Sequence, residues 1–180
     1  MSRPVIFISS VNRELRTTRD LVANTLMTLG YLPKWQDIAP TGSGDLKADL
    51  RKAIDESDAV IQLVGHCYGG APEKSDLEFG SVSYSQYEAL YAEKKQKPIF
   101  YIILEESNTV DVKGDETTLL KRKQYAYREK IRENRSNMVA TSSLTRTEAV
   151  ILGLRPFLRS VTLKPRIQRE RSGASGLVSS

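Results

Sequence analysis

Short apolar runs alternate along this chain with stretches whose apolar residues recur at helical spacing, and that alternation leaves few folds open. Val5-Ile6-Phe7-Ile8 is a continuous apolar run of the kind covered on both faces. Tyr31 to Trp35 is a weaker second run, interrupted by Pro33. Ala59 to Val64 is a third, closed by Gly65, and Pro98 to Leu104 a fourth; Met138 to Ala140 is a short edge run. Between them, Asn12 is placed to cap a helix with the stripe Leu15, Val22, Leu26 and Leu29, stopped by Gly30. Asp45 opens a second helix through Leu46, Leu50, Ala53 and Ile54. Further helical patterns cover Val82 to Lys95, Leu119 to Asn134, and Ser143 or Thr145 to Leu158. Apolar strands alternating with helices predict a parallel sheet wrapped on both faces. Right-handed crossovers then fix an α/β, flavodoxin-like three-layer sandwich of about five strands, in an order near 2-1-3-4-5.

At 180 residues the chain holds one domain with a substantial core, expected over residues 1–163. Residues 164–180 are basic, then Gly/Ser-rich with no core-forming content, and read as a disordered tail or linker. The net charge of +5 invites a nucleic-acid reading, but its distribution opposes one. Seven basic and two acidic residues lie in Lys121–Arg135, four basic and one acidic in Lys164–Arg171, so the rest is slightly acidic. Such segments are more often solvated faces than nucleic-acid grooves. One Cys and one His do not assemble the usual zinc sites, so no metal is expected, and a lone thiol suits a reducing cytoplasm. With no apolar run of membrane-spanning length and no signal-peptide layout, a cytoplasmic protein without a membrane is expected.

Glu88 is the residue that fits its surroundings worst. On a helix over Val82–Lys95, Tyr84, Tyr87, Tyr91, Ala92, Ser85 and Ala89 share one broad arc with Glu88 near its centre, while Gln86, Glu93 and Lys94 take the opposite face. A carboxyl among aromatics must be desolvated or partnered, and such positions often hold working acids. A Glu satisfied by a backbone or Arg contact is the plainer alternative. In the predicted fold ligands bind beyond the strand C-termini, where the order switches between the first and third strands. Ser9 and Ser10 follow the first strand, Gly65 to Gly70 follow the third, and the Glu88 helix begins just after that loop. Arg19 shares the phase of Leu15 and Val22 and is expected to bond loop carbonyls or a carboxylate such as Asp58.

An ordered set of motifs carries a resemblance. Val5-Ile6-Phe7-Ile8-Ser9-Ser10, Leu15 and Arg19, Ser57-Asp58-Ala59-Val60, Gly65-His66-Cys67-Tyr68-Gly69, Ser83-Tyr84-Ser85-Gln86-Tyr87-Glu88 and Lys97-Pro98 occur in sequence. Over about residues 3–160 the chain resembles the TIR-like domain of unknown function found at the N-terminus of many bacterial NTPase and repeat proteins. That family is a divergent branch of the Toll/interleukin-1 receptor (TIR) superfamily. The resemblance implies NAD⁺ as a substrate, with no bound cofactor. It is cleaved between nicotinamide and ribose by a Glu on the helix after the third strand, which Glu88 matches. Tyr84 falls where related enzymes place an aromatic, Ser9 and Ser10 where the nucleotide pocket is lined, and Gly65 opens the facing loop. Asp37 begins the stretch to Gly44 that corresponds to a loop shaping substrate access and self-association. The residues flanking Glu88 depart from the commonest enzymatic signature. The resemblance further implies an effector of bacterial antiphage signalling that works beside a sensor or NTPase domain. A non-catalytic scaffold signalling through homotypic contacts is the alternative.

Overall fold

The computed structural model describes residues 3–36, 45–105, 110–112, 115–134, 138–141, 151 and 153–162. Along them run β1 (Val5–Ser9), α1 (Asn12–Thr28), β2 (Leu32–Lys34), α2 (Leu46–Asp55), β3 (Ala59–Val64), α3 (Tyr84–Lys94), β4 (Ile99–Leu104), α4 (Thr118–Asn134), β5 (Met138–Thr141) and α5 (Arg155–Thr162). The five strands form one sheet in the order β2-β1-β3-β4-β5, and every pairing is parallel. This is the doubly wound, flavodoxin-like arrangement that the β/α alternation dictates.

Side chains alternate across a strand, so neighbours along β1 belong to different layers. Ile6 and Ile8 join Leu15, Val22 and Leu26 of α1 and Leu158 of α5 in one core, while Phe7 joins Leu50 and Ile54 of α2 and Tyr87 and Tyr91 of α3 in the other. Ser9 has the parity of Phe7 and therefore turns toward α3. All six residues of β3 are buried, as expected of a strand with helices on both faces. Pro33 is tolerated because β2 is an edge strand and, among the described residues, pairs only with β1.

Helix ends show what local signals fix. Gly30 adopts φ +89°, its N–H meets the Met27 carbonyl at 3.0 Å, and that of Tyr31 meets Leu26 at 3.0 Å. This is a Schellman stop, which favours glycine at that position. Two expected caps differ in mechanism. The N-cap of α1 is Val11, not Asn12, whose side chain instead accepts from Arg19 at 2.7 Å. Asp45 does hold the N-cap position of α2 but makes no capping hydrogen bond; its carboxylate reaches Arg51 at 3.4 Å. In the same way Asp58 takes the main-chain N–H of Val5 at 2.8 Å. Arg19 reaches Asp20 at 3.3 Å and lies 4.9 Å over the Trp35 ring. No described helix is long and apolar enough to cross a membrane.

Candidate functional site

The C-terminal ends of β1 and β3 open onto a cavity of about 530 Å³. Ser10 to Glu14 line it from the start of α1, Cys67 to Gly70 from the loop after β3, and Ser85 from the first turn of α3. Val112, Asp115 to Thr117 and Leu120 complete it from the segment leading into α4. Its place at the β1/β3 switch point is where this architecture leaves room for a ligand.

Glu88 stands immediately behind that wall. Ser83 caps α3, its hydroxyl accepting the Gln86 N–H at 3.3 Å, which sets Ser85 on the cavity and Glu88 three residues further on. Glu88 is 3% exposed and is not among the cavity-lining residues. Its carboxyl is hydrogen-bonded to the Ser9 hydroxyl. Burial pushes its pKa up from 4.5 to about 8, against the smaller downward pull of the Ser9 contact. The Ser9 hydroxyl donates to the Glu88 carboxyl and also faces the Ser85 carbonyl at 3.4 Å. In this state Glu88 is a neutral acid, whereas stabilising a developing cation requires the anion.

The other expected site residues are dispersed around it. Ser10 lines the cavity, while Ser9 is fully buried beneath it. Tyr84 packs with the α2/α3 core; its N–H donates to the Gly70 carbonyl at 2.9 Å, and a Cβ on Gly70 would lie 3.6 Å from its ring. Gly65 sits under Glu14, where a Cβ would come within 2.2 Å of a carboxylate oxygen. Asp37 lies outside the described residues. Gln86, assigned to the solvated face, is 5% exposed instead and donates to Gln124 at 3.1 Å, because α4 packs over that side of α3.

The family described as Domain of unknown function (DUF4062) matches residues 5–149. The chain belongs to it. Among solved structures, the DUF4062 chain is similar to the TIR domains of the activated Roq1 resistosome that directly recognizes the pathogen effector XopQ. There 18% of residues are identical, 89% of this chain and 85% of that one are covered, and the TM-score is 0.41. It is similar also to the RPS4 and RRS1 TIR domain heterodimer, at 12% identity, 86% and 97% coverage and a TM-score of 0.48. Comparison with curated proteins finds no match.

The DUF4062 site holds side chains that sequence reasoning passed over. Glu14 accepts from the main-chain N–H groups of His66 and Cys67 at 2.7 and 3.0 Å, and Glu116 from those of Tyr68 and Gly69, both at 2.8 Å. Arg128, 5% exposed, donates to the carbonyls of Gly65 at 3.0 Å and Leu104 at 2.9 Å, tying together the ends of β3 and β4. Tyr127 donates to Gln62 at 2.7 Å, and Gln62 to the Ser85 carbonyl at 2.8 Å, so the wall before Glu88 is braced from α4. One signal was present for Glu14: it shares helical phase with Thr18 and Thr25 beside the apolar stripe, and all three are buried. Among the described residues no group of three or more His, Cys, Asp or Glu forms a metal site.

Proposed function

We propose that the chain is a TIR-like NAD⁺ glycohydrolase, a cytoplasmic effector of bacterial antiphage signalling switched on by self-association beside a sensor or NTPase partner. One observation carries this reading. The single buried acid of α3 stands directly behind a nucleotide-sized cavity at the β1/β3 switch point, bonded to the serine that ends β1. The ordered motifs that resemble TIR-like sequences supply the substrate.

The chemistry asked of Glu88 follows from charge. When the nicotinamide–ribose bond breaks, its electron pair passes to the ring nitrogen, neutralising nicotinamide, and positive charge develops at the ribose C1′. A carboxylate beside that carbon stabilises the charge, as in glycoside cleavage, and a second carboxyl is unnecessary because the leaving group departs neutral. Buried behind that wall, Glu88 keeps its proton. The nicotinamide ring of NAD⁺ is cationic, and a cation brought against a buried acid favours its ionised form. Substrate entry thus supplies the charge that ionises the acid, once the Ser9–Ser85 wall opens. Self-association is the event assigned to that opening.

The test is nicotinamide release from NAD⁺ by the chain under forced clustering. Turnover is expected in the clustered sample and is expected to be lost in Glu88→Gln; equal turnover by that variant sinks the assignment. Since kcat/KM reports the free enzyme, it should rise with pH to a limb near the Glu88 value of about 8. A second reading is favoured by the burial of Glu88: a scaffold in which this acid is only a packing element. Clustered protein that leaves NAD⁺ intact, yet self-associates in light scattering, would select it.

A further inference from the structure

The loop after β3 aims four consecutive main-chain N–H groups at two carboxylates borrowed from distant parts of the chain. His66 and Cys67 share Glu14; Tyr68 and Gly69 share Glu116, with N···O distances between 2.7 and 3.0 Å. Gly69 lies at φ +80°, a backbone turn of the sort that gathers successive N–H groups into an anion-binding concavity.

The two carboxylates are not equivalent. Glu14 is 1% exposed, pressed against Gly65, and held through its own carbonyl by the Asp111 N–H at 3.0 Å. It is fixed in place. Glu116 is only half-buried, precedes α4, and lines the same cavity as Tyr68, Gly69 and Gly70. Its two oxygens present to the Tyr68 and Gly69 amides the geometry that two oxygens of a phosphate would present.

We propose that the Tyr68–Gly69 amide pair is the anion subsite of this cavity, that Glu116 occupies it in the resting state, and that a ligand of the nucleoside diphosphate class binds by displacing Glu116. The proposal rests on the cavity being the ligand site of the proposed function, but not on any chemistry at Glu88. With Glu116 in place the cavity offers a phosphate no free amide at Tyr68 or Gly69. Among the described residues of its lining, three acids, Glu14, Asp115 and Glu116, then stand against one cation, Arg13. Swinging Glu116 aside removes one negative charge and frees two donors in a single movement. Val11, Val112 and Leu120 give the same cavity apolar surface for a base, and its volume suits a small molecule rather than a peptide. The intramolecular carboxylate reduces the apparent affinity to the intrinsic one multiplied by the fraction of molecules in which it is released.

ADP is the probe, because it carries a diphosphate and a base but no nicotinamide. Calorimetry and amide NMR on the full chain read the outcome. Glu116→Ala is expected to bind ADP about tenfold more tightly than the wild type, the gain anticipated when a self-contact favoured by roughly ten to one is removed. Tyr68 and Gly69 resonances are expected to shift on titration, and inorganic pyrophosphate to compete. Should Glu116→Ala not fold, Glu116→Gln carries the test, with a smaller gain because an uncharged acceptor remains. Unchanged or weakened binding in the folded variant, or a titration that leaves Tyr68 and Gly69 unmoved, overturns the proposal. ADP binding that tightens as expected, beside clustered protein that releases no nicotinamide, removes the glycohydrolase reading alone. Nicotinamide release without tightening in the Glu116 variant removes only the self-occupied subsite.

Discussion

Glu14 and Glu88 are both buried acids at the same end of the sheet, and the fold holds them in opposite ways. Glu14 is met by two main-chain N–H groups; Glu88 has the Ser9 hydroxyl, and three tyrosines share its helix. Aimed amides replace the water that a carboxylate loses on burial. A single hydroxyl does not, and the proton stays on instead. Burial alone therefore says little about an acid's role; the donors around it decide whether it is a strut or a reserve of charge.

The largest expected effect falls on the strut. Glu14→Ala leaves the N–H groups of His66 and Cys67 without their acceptor, at about 1–3 kcal/mol for each buried donor. Denaturant unfolding is expected to show a loss of about 3 kcal/mol; a loss under about 1 kcal/mol would mean that water serves those amides equally well, and the contrast with Glu88 would dissolve.

Glu88→Gln should behave the other way, with a sign set by pH. The native pKa of about 8 lies above the ordinary 4.5, so below pH 4.5 both native and unfolded chains carry the proton and this group costs nothing. As pH rises from 4.5 to 8 the unfolded chain releases its proton while the native one retains it, and stability falls; above 8 the loss levels off. The Gln variant lacks that decline. Thermal unfolding should coincide for the two proteins in acid and separate progressively toward alkaline pH, with the variant the more stable. A wild-type profile parallel to that of the variant would show Glu88 to be ionised in the native state.

Ser9→Ala has the smallest expected effect. It removes the one contact that pulls the Glu88 pKa down, so the titration of the Glu88 side-chain carboxyl followed by NMR should move upward. The lost buried hydrogen bond should cost about 1 kcal/mol. A downward shift would mean that water has entered beside the acid.

The same contrast explains how much could be read in advance. Strand number, sheet order and the crowded face of α3 were legible because they rest on local periodicity: the run Val5–Ile8, the stop at Gly30 and the tyrosines around Glu88 each announce themselves within one element. The partners of the acids were not legible. Glu14 reaches amides 52 and 53 residues away, and Glu116 amides 48 and 47 residues away; a main-chain donor leaves no trace in residue identity. Gln86 was misplaced for a related reason. Its helix alone gives it a solvent face, and only the packing of α4, through Gln124, takes that face away.

The chain has a single tryptophan, and the structure sets it in a useful place. Trp35 follows the edge strand, two residues ahead of Asp37, with the Arg19 guanidinium 4.9 Å from its ring. A charge at that distance tunes indole emission, so the intrinsic fluorescence of the unlabelled protein is a built-in gauge of that corner. Colour and quenching can be followed while the protein clusters, without adding a dye to the surfaces under study.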